Sequence, residues 1–205
     1  LRLAPGETAL ITIDRSAGAV DGSEPPAYEQ VGEISPWDIA VESWDAGELQ
    51  LITEDRGLGY VTREVRPTTA VTTIKAGAGD LRPWIAHEAV GPDVSGVGDY
   101  RATVRLDDLG SGRLLLDLGS TAGGLGSVSI NEAAARGFDT SRPIVDITDG
   151  LRAGDNTLHV RVSSSLNNRL LARGYYDRVP DILLQLTGGG EGTQQTEPHP
   201  HGLLG

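Results

Sequence analysis

The sequence predicts an all-β chain, two antiparallel sheets packed face to face as a jelly-roll β-sandwich, with few short helices. Three observations predict it. Apolar and polar residues alternate in short runs, the period-2 signature of half-buried strands; clusters of Gly, Pro, Asp and Asn bound those runs; and no apolar stripe recurs at helical spacing.

In chain order the expected strands are residues 9–13, 37–44, 71–75, 100–106, 113–118, 127–131, 157–162 and 181–186. Alternation is cleanest in Tyr100, Ala102, Val104 and Leu106, and again in Leu158, Val160 and Val162, where every second side chain is apolar and defines one face of a pleated strand. Residues 107–112, 121–126 and 153–156 read as turns, and Gly154-Asp155-Asn156 suits the backbone angles of a tight hairpin. Short helical pieces are expected at 132–136 and around 147–151. Residues 1–32 read as a strand and an Ala-, Gly-, Ser- and Pro-rich linker from a preceding domain, and 33–205 as the sandwich itself. Within it, 188–202 reads as a long mobile loop.

Composition narrows the function. At 205 residues the chain can bury one substantial core, built from Leu, Val, Ile and Ala because Phe138 is the single Phe and Met is absent. A formal charge of -12 opposes binding to nucleic acid or to anionic membranes, whose affinity comes largely from neutralising cations. The absence of Cys excludes thiol catalysis, disulfides and thiolate metal sites. No apolar run approaches the roughly 20 residues of a membrane-spanning helix. A chain without Met reads as a processed product or a fragment.

Catalytic motifs fail one after another. Asp93-Val94-Ser95-Gly96-Val97 has the wrong flanks for a nucleophile elbow. His87-Glu88 lacks the second His of a zincin, and His199 and His201 lie in a Pro-rich tail that reads as flexible and solvated. The acidic pairs Glu54-Asp55 and Asp107-Asp108 are sequence neighbours, which point to opposite faces of a strand, whereas glycoside hydrolysis needs two carboxyls facing one another about 5–9.5 Å apart. No catalytic residue and no cofactor is therefore expected. A structural calcium stays open, since loop oxygens suit it, although an Asp-x-Asp-x-Asp array is missing.

A family resemblance emerges from the order and spacing of six pieces. They are Val94-Ser95-Gly96-Val97-Gly98-Asp99-Tyr100, Leu116-Asp117-Leu118-Gly119, Val128-Ser129-Ile130-Asn131, Asp146-Ile147-Thr148, Gly154-Asp155-Asn156-Thr157-Leu158 and Leu166-Asn167-Asn168-Arg169-Leu170. Together they resemble the galactose-binding-like sandwich of sugar-binding modules, found in glycoside hydrolase family 2 and near the C-terminus of family 106 α-L-rhamnosidase-like enzymes. The likeness covers residues 33–205. It departs at Ile130-Asn131-Glu132, where the family usually carries Val-Asn-Gly, and Gly202-Leu203-Leu204-Gly205 resembles the segment that leads into a closing strand.

The resemblance implies a non-catalytic, carbohydrate-binding-like module of a larger secreted, extracellular glycoside hydrolase whose catalytic carboxylates lie in another domain. Its partners would be an oligo- or polysaccharide and the other domains of the parent enzyme. Sugar sites combine an aromatic face with Asn, Asp, Arg or His on the hydroxyls, which makes Trp84, His87, Asn168, Arg169, Tyr175 and Tyr176 the candidate contacts. The same residues have another reading: Trp84 as a core plug, Asn168-Arg169 as a loop fastener, and the tyrosines as half-buried strand residues. On that reading the sandwich is purely structural and stabilises the catalytic domain without binding sugar.

Overall fold

The computed structural model describes residues 28–122, 124–176 and 197–204; the strands expected at 9–13 and 181–186, and most of the 14–32 linker, lie outside them. Among the described residues the elements are β1 (Trp37–Ala46), β2 (Gln50–Asp55), β3 (Tyr60–Val65), β4 (Thr69–Gly79), β5 (Gly96–Leu106), β6 (Leu115–Asp117), β7 (Leu125–Ile130), β8 (Arg136–Phe138), β9 (Ile144–Asp146), β10 (Gly154–Ser163) and helix α1 (Asn167–Ala172). Six strands form one antiparallel sheet in the order β4-β1-β5-β10-β7-β8. A short ladder, β6 with β9, and a separate hairpin, β2 with β3, complete the strand pairings. The chain is all-β, as the alternation predicts.

Alternation decides which face is buried. In β10, Leu158, Val160 and Val162 point inward while Thr157, His159 and Arg161 point out, and on the neighbouring strands Tyr100, Ala102, Trp37 and Ile39 join the inner set. Opposite them stand Leu116 of β6 and Val145 of β9, with Leu118, Ile147 and Leu203, closing one apolar core. Each such side chain removed from water contributes about 1.5–3 kcal/mol. A smaller cluster of Val41, Trp84, Val90 and Val94 lies beside it.

Polar ties hold the β6–β9 ladder itself together. Thr148 donates to Asp146 from both its hydroxyl (2.7 Å) and its backbone N–H (3.1 Å), and Arg113 Nε donates to the other carboxylate oxygen at 2.8 Å. The Thr148 hydroxyl in turn accepts from the Leu114 N–H at 2.9 Å, which fastens the start of β6 to the end of β9.

Three local expectations are corrected. Residues 132–136 are not helical: Asn131 and Glu132 turn through positive φ, 48° and 67°, and β8 begins at Arg136. Tertiary bonds decide this, because Asn131 Nδ2 donates to Gly150 O (3.0 Å) and Asn156 Oδ1 (2.7 Å) while its own oxygen accepts from Thr157 N–H (2.9 Å). Nor is 153–156 a hairpin; Gly154 opens β10, whose partners β5 and β7 come from far upstream, and Asn156 holds the entry through Arg152 N–H and O at 2.8 and 2.7 Å. The tail is not a solvated loop throughout, since His201, Gly202 and Leu203 are buried. The short helical piece expected around 147–151 is present as a 3-10 turn at Thr148–Gly150.

Glu132 sits in a left-handed conformation that costs a side-chain-bearing residue roughly 1–2 kcal/mol. Glu132→Gly is expected to raise stability by about 1 kcal/mol in a denaturant titration. Asp146 is held at about 2 from an ordinary 3.8, by the Thr148 hydroxyl and then by Arg113. A carboxyl with a depressed pKa adds stability above its unfolded value, and that stability drains as pH falls through the folded value. The Asp146 side-chain carbon resonance should therefore titrate near pH 2, and Thr148→Val should return it toward 3.8.

Candidate functional site

Two of the residues named for sugar contact, Trp84 and Arg169, sit at two polar junctions, and the first is built on Tyr100. This residue lies on β5, between β1 and β10, and its ring is fully buried. Its hydroxyl accepts from Trp84 Nε1 at 2.7 Å and from the Leu203 N–H at 3.0 Å, so one oxygen joins the central strand, the 3-10 turn Trp84–Ala86 and the segment 197–204. Burial pushes its pKa up, which keeps the phenol neutral. Trp84 N–H also donates to His201 O at 2.8 Å, and the two rings meet edge to face at 5.9 Å. Gly202 passes against Trp84 and Tyr100 with φ at 113°; a Cβ there would lie 2.6 Å from Trp84 Cδ1 and 2.7 Å from the Tyr100 hydroxyl. Only glycine fits.

The second junction is where β1, β5, β10 and α1 converge, at the Ser95-Gly96 bend. The Ser95 carbonyl accepts from Trp44 N–H at 2.8 Å, and its hydroxyl accepts from Arg169 N–H at 3.1 Å. Gly96 N–H donates to the Ser164 hydroxyl and Ser164 N–H returns to Gly96 O, both at 2.8 Å. Arg169 reaches back across the junction, with Nε on Trp44 O (3.0 Å), one terminal nitrogen on the Ser43 hydroxyl (2.8 Å) and the other 3.6 Å from Asp45. Asp45 also pairs with Arg173, whose hydrogen bond lowers the carboxyl pKa against the opposing effect of burial. A rigid guanidinium fork suits this fastening task.

Each predicted residue can now be placed. Trp84 is 1% exposed and lies in the smaller apolar cluster. His87, at the end of the same turn, is 4% exposed, with Nδ1 3.4 Å from Arg82 Nε. Asn168 is buried and clasps the backbone of His199, accepting from its N–H at 2.8 Å and donating to its carbonyl at 3.0 Å. Arg169 is engaged as described. Tyr176 donates to Asn167 Oδ1 at 3.1 Å, and Tyr175, 51% exposed, stands edge-on to it at 5.5 Å. Trp84, Asn168 and Arg169 are thus held by protein partners, and Tyr175 alone of the six is exposed to solvent.

The outward face of the large sheet carries a charged network that sequence reading did not single out. His159 on β10 meets Asp99 on β5 at 2.7 Å, Arg101 reaches the same carboxylate at 2.9 Å, and Arg161 pairs with Glu42 at 3.1 Å. Beside it an open depression of ≈ 280 Å³ is lined by Val97, Leu125, Gly126, Ser127, Arg161 and Ser163. Alternate charged positions on β5 and β10 were the available signal; which acid met which base depended on the register, Asp99 opposite Arg161 and Arg101 opposite His159. Among the described residues no three His, Asp or Glu side chains converge on a metal-holding site.

No protein-family model and no curated protein matches the chain. Among solved structures it is similar to a rhamnosidase from Novosphingobium sp. PP1Y, with 21% identity and a TM-score of 0.43 over 91% of this chain. The chain spans 16% of that enzyme's length.

Removing the Tyr100 hydroxyl leaves two buried N–H donors unpaired, each at a cost of about 1–3 kcal/mol. Tyr100→Phe is expected to lower unfolding stability by about 2 kcal/mol or more in a chemical melt, with the strand content by circular dichroism unchanged.

Proposed function

We propose that the chain is a non-catalytic β-sandwich module of a larger secreted glycoside hydrolase of the α-L-rhamnosidase-like kind. Its role there is structural: it packs on and stabilises the catalytic domain. The enzyme context is supported by the ordered motif resemblance from Val94 to Leu170. The structural role is supported by one observation above all, that the polar groups best suited to sugar hydroxyls are turned inward. Asn168 is occupied by the His199 backbone, and Arg169 by Trp44 O, the Ser43 hydroxyl and Asp45. A sugar would have to displace these bonds to use the same groups, and an unpaired buried partner costs about 1–3 kcal/mol.

Sugar binding at the end of the sandwich near α1 is the second reading. It is supported by Tyr175, whose exposed ring beside Tyr176 offers an apolar platform with a polar edge.

Titration calorimetry of the folded chain against L-rhamnose, D-galactose, D-glucuronate and rhamnose-containing oligosaccharides separates the two. No saturable heat is expected. Saturable heat that disappears in Tyr175→Ala would replace the structural role with the binding one. Deleting the module from its parent enzyme is expected to lower the melting temperature of the catalytic domain; an unchanged melting temperature would remove the structural reading.

A further inference from the structure

Residues 197–204 form a strap across the turn Trp84–Ala86 and one end of the core. It is held at four points: Asn168 on the His199 backbone, Trp84 N–H on His201 O, Leu203 N–H on the Tyr100 hydroxyl, and Leu204 N–H on Ser120 O at 2.9 Å. Its one fully buried apolar anchor is Leu203. The strands beneath do not depend on it for their pairing, because β5 is laddered to β1 over residues 96–101 and to β10 over residues 97–106.

Two imidazoles are enclosed in this region, His201 on the strap and His87 at the end of the facing turn, each 4% exposed. The Nε2 atom of each is buried without a hydrogen-bond partner among the described residues. Buried polar atoms are normally paired, so these two orphans mark a place where, among the described residues, neutral rings are tolerated and charged ones find no partner. The charged or titratable groups facing them add no compensation. Arg82 stands against His87, and His199 lies 5.6 Å from His201, ring to ring. The side chains that reach this region from β5 and α1 are uncharged: the phenol of Tyr100, on Trp84 Nε1, and the amide of Asn168, on the His199 backbone. Among the described residues no carboxylate pairs with either ring; the ion pair made by a histidine is that of His159 with Asp99.

We propose that His87 and His201 form an acid-sensitive latch, whose protonation releases the 197–204 strap and uncovers the Leu203 site while the six-stranded sheet stays intact. Burial first, then Arg82 for His87 and His199 for His201, holds both rings below the ordinary imidazole range. A histidine with a depressed folded pKa stays neutral in the docked state and favours the released state once protonated. Docking is therefore complete above about pH 6.5 and weakens progressively as pH falls below it. This inference rests on no assignment of function.

Amide hydrogen exchange by NMR at pH 7.5 and 5.0, corrected for intrinsic rates, tests it on the wild-type chain. Protection of the Trp84, Leu203 and Leu204 amides should fall about tenfold or more, the factor carried by one pKa unit, while Leu158 and Val160 in β10 keep theirs. In the double variant His87→Gln/His201→Gln the fall should vanish, and in each single variant it should shrink. Equal protection of the strap at both pH values would overturn the latch. So would a parallel loss in β10, which means global unfolding, or an undiminished fall in the single variants. Imidazole carbon resonances of His87 and His201 that titrate at or above pH 6.5 in the wild type would overturn it without any substitution.

Discussion

The structure depends most on one buried oxygen. The Tyr100 hydroxyl sits on the central strand β5 and accepts hydrogen bonds from an indole and from a backbone amide 103 residues downstream. A phenol has a single oxygen with two acceptor sites, so it can bring two segments together at one point while its ring fills the apolar core. Without it the Trp84 turn and the 197–204 strap would each carry a buried, unpaired N–H. The φ of Gly202 and the depth of Leu203 follow from that arrangement, since the strap must pass against the ring of Trp84 to deliver its amide.

A second set of buried polar groups fixes the turns around the sheet. Asn131 and Asn156 bond to one another and to the backbone on both sides, which commits the chain to a left-handed turn after β7 and to the entry of β10. Ser95, Ser43 and Arg169 do the same where β1, β5 and α1 meet. These side chains belong to the types that bind sugars or catalyse reactions. Here their donors and acceptors are answered by the protein, and this is why a chain rich in Arg and Asp offers so little prepared chemistry on those loops. The departures from this rule among the described residues are the Nε2 atoms of His87 and His201, which are buried without a hydrogen-bond partner.

Legibility followed burial. The β1, β5 and β10 strands could be read because each has a face in the core and a face in water, so their sequences alternate, as in Leu158, Val160 and Val162. The β2–β3 hairpin could not, because both its faces are largely exposed and its residues carry no period; Leu51 and Ile52 stand side by side on β2, both exposed. Helix α1 has six residues and no apolar stripe, and is fixed by tertiary bonds to Ser95 and Ser43. Of the candidate site, the residue types were legible and their orientation was not. Trp84 and Tyr175 look equally available in the sequence, yet one is a core ring and the other stands in solvent.

The sequence by itself determined the all-β class, the inward sets of the central strands and the absence of recognisable catalytic motifs, because each is a matter of period or of residue type. Only the tertiary structure decided which polar groups meet. Asn168 and His199 are 31 positions apart, and Tyr100 and Leu203 more than three times as far. Their meeting is set by how the strap crosses the sheet, a property of strand order and chain path for which the local sequence carries no signal.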